Sequence, residues 1–203
     1  MRGWFVTGTD TGVGKTVLSA ALMLRHPGGC YWKPIQTGTH HDTGDDTAEV
    51  RRLSGGQVLD EGIRLPDPVS PHLAARRAGI TIDLDRLAER VFTTPVIVEG
   101  AGGVLVPINE SQTMADLMVL LGLPVIVAAR TSLGTINHTL LTLEALRARG
   151  LRVAGAVMIG EANPDNRAAI ERHCHVIAEM PWFDPLTPEC LRHWAARSLE
   201  LPD

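Results

Sequence analysis

The chain has 203 residues and a formal net charge of −4, from 19 Lys and Arg against 23 Asp and Glu. Hydrophobic residues make up 44% and charged residues 21%, an ordinary globular balance that excludes a disordered, collagen-like or coiled-coil chain. It supplies no broad basic face, so no nucleic-acid partner is expected. One domain covering residues 1–203 fits this length, and such a chain buries about 70% of its unfolded surface.

Residues 3–6 (GWFV) open the chain with an apolar run too short for a secretory signal, which reads as a buried strand. It runs into GTDTGVGKT (8–16). The usual phosphate-loop spacing is G-x-x-x-x-G-K-[ST]; here Gly8 lies one residue too far upstream and Thr9 takes the first position. Gly12, Gly14, Lys15 and Thr16 keep their places. Glycines let backbone N–H groups turn inward around phosphate oxygens, and a helix predicted over 14–25 adds the positive end of its dipole. Lys15 would bridge the β and γ phosphates, and the Thr16 hydroxyl would ligate Mg²⁺. A turn that merely caps a helix does not require strand, loop, Gly-Lys-Thr and helix in this order.

Lys33 precedes Pro34, which biases its backbone towards extended geometry and suits a side chain projecting from a strand end. The segment GTHHDTGDD (38–46) is polar and turn-rich. Asp45 reads as the cap of a helix beginning near Thr47, while Asp46 stays open between a helix-start residue and a metal ligand. His40, His41 and Asp42 read as a solvated loop, because a metal cluster needs further ligands in defined geometry. Residues 54–82 are rich in Gly, Pro and Asp and read as a long surface excursion, with Gly79 and the prolines of 66–72 as turn devices.

PVIV (95–98), PVIVAA (124–129) and VAGAVMI (153–159) are short, continuous and rich in Val and Ile, the habit of strands buried on both faces. Glu99 is expected to end the first of these, ahead of GAGG (100–103); a carboxylate there is costly unless a cation or hydrogen bonds compensate it. The most apolar stretch, 117–129, is 13 residues long and broken by Gly122 and Pro124, whereas a membrane span wants about 20. Residues 135–149 place Ile136, Leu140, Leu143 and Leu146 on one helical stripe, with His138 in the same helix and Gly150 as its C-cap. His173, Cys174 and His175 alternate across a helix-to-strand junction, and Trp4, Trp182 and Trp194 read as packing residues. Cys30, Cys174 and Cys190 are far apart and suit a reduced, cytoplasmic setting. Strands alternating with helices predict an α/β fold, a doubly wound, mostly parallel sheet flanked by helices.

FVTGTDTGVGKT (5–16), KPIQTG (33–38), PVSPH (68–72), VEGAGG (98–103), LGTINH (133–138) and MPW (180–182) stand in this order. Through them the chain, from about residue 3 to 183, closely resembles the dethiobiotin synthetase family. These are P-loop NTPase-fold ligases that close the ureido ring in biotin synthesis, and even the one-residue-longer loop is the family's. The resemblance implies that 7,8-diaminononanoate, carbon dioxide and ATP give dethiobiotin, ADP and phosphate. One amine forms a carbamate, ATP phosphorylates it to a mixed anhydride, and the second amine closes the ring.

Residue by residue, the resemblance gives Lys15 and Lys33 the task of drawing carbamate and γ-phosphate together. They are the only two lysines in the chain. Thr16, Asp46 and Glu99 would hold Mg²⁺. Gly12, Val13, Gly14 and Val17 would join them around the nucleotide, with Gly100, Ala101 and Gly102 alongside and Ile159, Gly160, Pro181, Trp182 and Phe183 near the base. Thr11 and Thr37 would contact the diamine or its carbamate, with Ser70 and Pro71 at its border. The family's active site lies at a homodimer interface, where Leu133, Gly134, Thr135 and Asn137 of one protomer would receive the carboxylate of substrate bound to the other. From pattern alone, Thr135 and Asn137 are equally helix-start residues. Two departures stand out: Gly12 replaces a Glu found in some relatives, and Ile159–Gly160 replace an Asn that reads adenine. Base selection would then rest on backbone groups near Pro181, so other nucleoside triphosphates are expected to serve beside ATP.

Three other classes use related folds. A partitioning-type switch ATPase carries an extra lysine early in the loop, where Asp10 stands here, and no basic membrane helix follows. A cobyrinate amidase needs an attached glutaminase with a catalytic Cys, for which the chain ends too early. A GTPase would show an N-K-x-D base-reading motif, which the sequence lacks.

Overall fold

The computed structural model describes residues 3–39, 45–59 and 62–201. His40, His41 and Asp42 therefore lie outside the described residues. Among the described residues the elements are, in chain order, β1 (Gly3–Gly8), α1 (Lys15–Arg25), β2 (Cys30–Trp32), β3 (Ile35–Gln36), α2 (Asp46–Ser54), β4 (Gln57–Leu59), β5 (Ile63–Arg64), α3 (Pro71–Arg77), α4 (Leu84–Ala88), β6 (Val96–Gly103), α5 (Met114–Leu121), β7 (Val125–Arg130), α6 (Thr135–Arg147), β8 (Val153–Ile159), α7 (Pro164–Glu171), β9 (Val176–Met180) and α8 (Pro188–Ser198).

Seven strands form one sheet in the order β4-β2-β6-β1-β7-β8-β9, every neighbouring pair parallel. The chain enters at the centre: all six residues of β1 are buried, and its register sets Val6 against Glu99 on one side and Ile126 on the other. Alternate strand residues feed two cores. Trp4, Val6, Tyr31, Ile97 and Ile126 meet Leu18 and Leu22 of α1, Val50 and Leu53 of α2, and Leu191 and Trp194 of α8. Phe5, Trp32, Val98 and Val127 face Ala74, Leu84, Leu117, Leu143 and Leu146 on the opposite side. Leu18 and Leu22 are fully buried, and truncating either to Ala would cost about 2–5 kcal/mol.

Helix starts follow local chemistry. Asp45 caps α2, accepting the N–H groups of Thr47 and Ala48, so the helix opens one residue earlier than expected, at Asp46. The regular part of α6 stops at Arg147, and Gly150 closes it in the left-handed region (φ 68°). There Gly150 N–H donates to Arg147 O and Leu151 N–H to Leu146 O.

Two sequence expectations are corrected. Residues 54–82 are not a surface excursion: they hold β4, the edge of the main sheet, β5, which pairs with β3 in a second small sheet, and α3. Leu65, Ala74 and Ile82 are core residues. Glu99 does not end its strand, because β6 continues to Gly103 through backbone pairing with β1 that needs no side chains. No helix among the described residues is long and apolar enough to cross a membrane.

Candidate active site

A cleft of about 660 Å³ opens where the carboxyl ends of β1, β2 and β6 meet, the usual ligand position in open α/β sheets. Its first wall is the loop between β1 and α1. Gly14 takes the left-handed conformation (φ 94°) and caps α1, whose first residue is Lys15. The loop folds tightly on itself. A Cβ added at Gly8 would lie 2.8 Å from Val13 Cγ2 and 2.9 Å from Asp10 O, so only glycine fits. The Lys15 ammonium turns back over this loop and donates to Asp10 O at 2.9 Å.

The second wall is an ionic cluster. Tyr31 and Lys33 are two residues apart, so the strand's alternation sends both side chains to one side. Tyr31 donates its hydroxyl to Glu99 Oε2 at 3.0 Å. Lys33 Nζ lies 2.8 Å from Glu99 Oε1 and 2.6 Å from Asp46 Oδ2, and also donates to Gly100 O at 3.2 Å. Glu99, only 1% exposed, thus finds the cation and hydrogen bonds that its burial demands. From the phosphate-loop side, Thr16 Oγ1 reaches Asp46 Oδ1 at 2.7 Å and Glu99 Oε1 at 3.1 Å.

The electrostatics of the two lysines diverge. Burial disfavours both charges. At Lys33, Glu99 and Asp46 more than offset it and hold the ammonium above the ordinary lysine value. At Lys15, burial prevails over Glu99, and with repulsion from Lys33 keeps the ammonium below that value. Asp46 loses affinity for its proton despite burial, through Lys33 and the Thr16 hydroxyl. Burial and the Glu99 charge push the Tyr31 phenol well up, so it stays a donor.

Thr16, Asp46 and Glu99 place three hard oxygen donors side by side, a set that fits Mg²⁺ and not a thiophilic metal. Among the described residues no group of three His, Cys, Asp or Glu could hold a metal, so a metal set here would have to include the threonine hydroxyl.

Most predicted residues meet in this cleft: Thr11, Gly12, Gly14, Lys15, Thr16 and Val17 on the loop side, Lys33, Thr37 and Asp46 opposite, Glu99, Ala101 and Gly102 on the floor, and Ser70, Pro71 and Trp182 at the rim. Others are placed elsewhere. The Val13 side chain is in the core, and buried Gly100 contributes its carbonyl to Lys33. Ile159 is buried against Gly14, and Phe183 packs edge-on to Trp194. Gly160, Pro181 and Trp182 line a neighbouring hollow of about 320 Å³. Trp182 is therefore not a packing residue: it is 63% exposed and borders both cavities.

Leu133, Gly134, Thr135 and Asn137 do not line the cleft of their own chain. Leu133 and Asn137 are exposed, Gly134 caps α6, and the buried Thr135 commits its hydroxyl to Arg130 O. Sequence reading missed Tyr31, although its spacing from Lys33 was signal enough. It also missed the apolar wall of Ile35, Val69 and Val106, although Ile35 and Val69 stand inside the KPIQTG and PVSPH segments.

A sequence profile described as an AAA domain matches residues 2–190. An ATP-dependent dethiobiotin synthetase BioD of Paramagnetospirillum magneticum is 52% identical over 183 residues, covering 89% of this chain and 88% of that protein. The enzyme of the same description from Brucella ovis is 44% identical over 201 residues, covering 98% and 94%. Among solved structures, the MinD cell-division ATPase of Pyrococcus furiosus superposes with a TM-score of 0.58 at 15% identity, covering 96% of this chain and 89% of that one. A ParA-family ATPase of Chlorobium tepidum superposes at 0.57 and 11%, covering 97% and 99%. Those two likenesses establish the P-loop NTPase fold alone. The near-full-length identity to the two synthetases settles the narrower matter: this protein belongs to the ATP-dependent dethiobiotin synthetase family.

Proposed function

We propose that the chain, as a single synthetase unit in a cytoplasmic homodimer, converts 7,8-diaminononanoate, carbon dioxide and ATP to dethiobiotin, ADP and phosphate. The observation that carries this reading is the meeting of Lys15 and Lys33 in one cleft with Thr16, Asp46 and Glu99. Two anions, carbamate and γ-phosphate, must approach each other for reaction, and fixed cations lower that barrier. Lys15 would hold the β and γ phosphates while Lys33 receives the carbamate. A carbamate oxygen then attacks the γ-phosphorus as the bond to ADP breaks. The second amine attacks the carbonyl carbon, phosphate departs, and the amine loses its proton. Thr11, Thr37, Ser70 and Pro71 would shape the diamine pocket, and Leu133, Gly134, Thr135 and Asn137 would serve the neighbouring protomer through main-chain N–H groups. Mg²⁺ held by Thr16, Asp46 and Glu99 would neutralise phosphate charge when bound.

The test is ADP release from ATP with and without diamine and bicarbonate. Release that needs both supports the reading; release indifferent to both would mark a switch ATPase instead. Glu99→Gln should raise the magnesium concentration for half-maximal rate more than the diamine KM, and the reverse would remove Glu99 from the metal set.

A further inference from the structure

Asp10 stands in the phosphate loop and is held at three points. Its Oδ1 accepts the Thr11 N–H at 2.7 Å, its Oδ2 accepts the Arg130 guanidinium at 2.7 Å, and its backbone carbonyl accepts the Lys15 ammonium at 2.9 Å. The residue before it is tied to the same neighbouring strand, since Thr9 N–H donates to Ala128 O at 3.0 Å. Arg130 is the last residue of β7, and its own carbonyl accepts the Thr135 hydroxyl in the first turn of α6. One residue therefore grips the phosphate loop with its side chain and the start of α6 with its main chain.

An ion pair whose side chains are 37% and 52% exposed adds little to global stability. What it fixes is geometry. The carbonyl that receives Lys15 belongs to Asp10, so a rotation of Asp10 carries the lysine's anchor with it. The carboxylate is already oriented by the Thr11 N–H, which leaves Oδ2 aimed at Arg130.

We infer that Arg130 is a positioning residue: through Asp10 it sets where the Lys15 ammonium stands for nucleotide phosphate, and it couples that loop to the segment opening α6. The inference rests on the roles proposed above for those two segments. Nucleotide bound at the loop stiffens Asp10 and Arg130, and with them the turn from Arg130 to Thr135. Nucleotide and diamine should then strengthen each other's binding only while the pair is intact.

Calorimetry of magnesium-ADP binding to the full chain, with the 7,8-diaminononanoate affinity measured with and without ADP, decides the matter. Arg130→Gln and Asp10→Asn are each expected to weaken ADP about ten-fold, with the double variant no worse than either alone. Arg130→Lys should recover most of the loss, and Tm should stay within about 2 °C of the parent, as for an exposed ion pair. The parent's gain in diamine affinity on adding ADP should vanish in Arg130→Gln. ADP binding by Arg130→Gln within about two-fold of the parent, losses that add in the double variant, or an unchanged coupling would each overturn the inference. A Tm that falls in step with affinity would do so as well, since it would reduce the pair to a structural tie. A parent that binds ADP but forms no dethiobiotin would instead defeat the proposed reaction and leave these binding results standing.

Discussion

The two walls of the cleft are built on opposite plans. Lys15 belongs to a local device: strand, glycine loop and helix within residues 3–25 place its ammonium on a carbonyl of the same loop. Lys33 belongs to a tertiary one, held by carboxylates 13 and 66 residues further along, on α2 and β6. Among the described residues the first lysine meets no carboxylate directly, and burial weakens its hold on its proton; the second is clamped by two and holds its proton more tightly. A cation whose partner is a neutral carbonyl is ready to exchange it for phosphate oxygens. One clamped between two carboxylates is instead a fixed ammonium, and its proposed task is to meet an anion formed within the site.

Replacing each lysine in turn gives the largest expected effect and tests that division. Lys33→Ala should lower kcat for dethiobiotin by about 10²–10³-fold or more, as for loss of a preorganised cation or donor, while magnesium-ATP still binds. Lys15→Ala should show its main loss in nucleotide affinity. Rate and titration measurements on the pair check this, and matching profiles for the two variants would erase the distinction drawn here.

A second test reaches the Lys33 wall from outside the cleft. Gly62 lies just before β5, with its Cα against the lysine's backbone: an added Cβ would sit 2.0 Å from Lys33 O. Gly62→Ala must therefore shift the main chain at Lys33 or at β5, at a cost of about 1–3 kcal/mol. The expected outcome is a lower Tm and lower kcat with nucleotide affinity nearly unchanged, since β5 pairs with β3 and not with β1, the strand that leads into Gly14, Lys15 and Thr16. Equal loss of ADP binding would show that the two walls move as one.

The same division marks what the sequence could disclose. The phosphate loop was legible because glycine spacing, Lys15 and Thr16 act within one turn of chain, and the buried strands because continuous Val and Ile runs need no partner to be read. Asp45 as a cap was legible for the same reason. Glu99 was misplaced because GAGG carries no side-chain signal for a strand, and backbone pairing with β1 alone extends it. Residues 54–82 misled because β4 and β5 have three and two residues, too few for a period, while Leu65 and Ile82 enter the core singly. The Asp10–Arg130 pair spans 120 residues, and no local pattern can announce it.

The pH dependence of stability separates the walls more gently. Asp46 has its folded value below the ordinary 3.8, so its stabilisation is present above that pH and is lost as pH falls through the depressed value. Lys33, raised above 10.5, contributes fully below that pH and loses its contribution as pH rises through the higher folded value. Lys15 runs the other way: its value is lowered, so its burial costs stability at neutral pH and the cost is relieved as pH climbs towards 10.5. Asp46→Asn removes one carboxylate from Lys33 as well as its own titration. Thermal melts should therefore show both the acid and the alkaline limbs of Tm shallower than in the parent. Parallel limbs in the two proteins would mean that the ion pair of Lys33 and Asp46 does not contribute to folding.

The smallest effect is expected at Trp182, an exposed ring at the side of the cleft where a base would lie under the proposed function. Ile159 is turned into the core against Gly14 and Gly160 has no side chain, so neither offers a side-chain amide for a base at the end of β8. The indole bordering both hollows offers a face on which any base can stack, and stacking is tolerant of base identity. Steady-state efficiencies with ATP and CTP should accordingly be comparable in the parent. Trp182→Ala, at a side chain 63% exposed, should leave the unfolding free energy within the roughly ±0.5 kcal/mol range of surface substitutions. It should weaken both nucleotides by about 1 kcal/mol without separating them. If the parent accepts only ATP, a base-reading group exists that this arrangement of Ile159, Gly160 and Trp182 does not provide. If Trp182→Ala changes neither nucleotide, the base lies away from the ring and towards the main chain at Pro181.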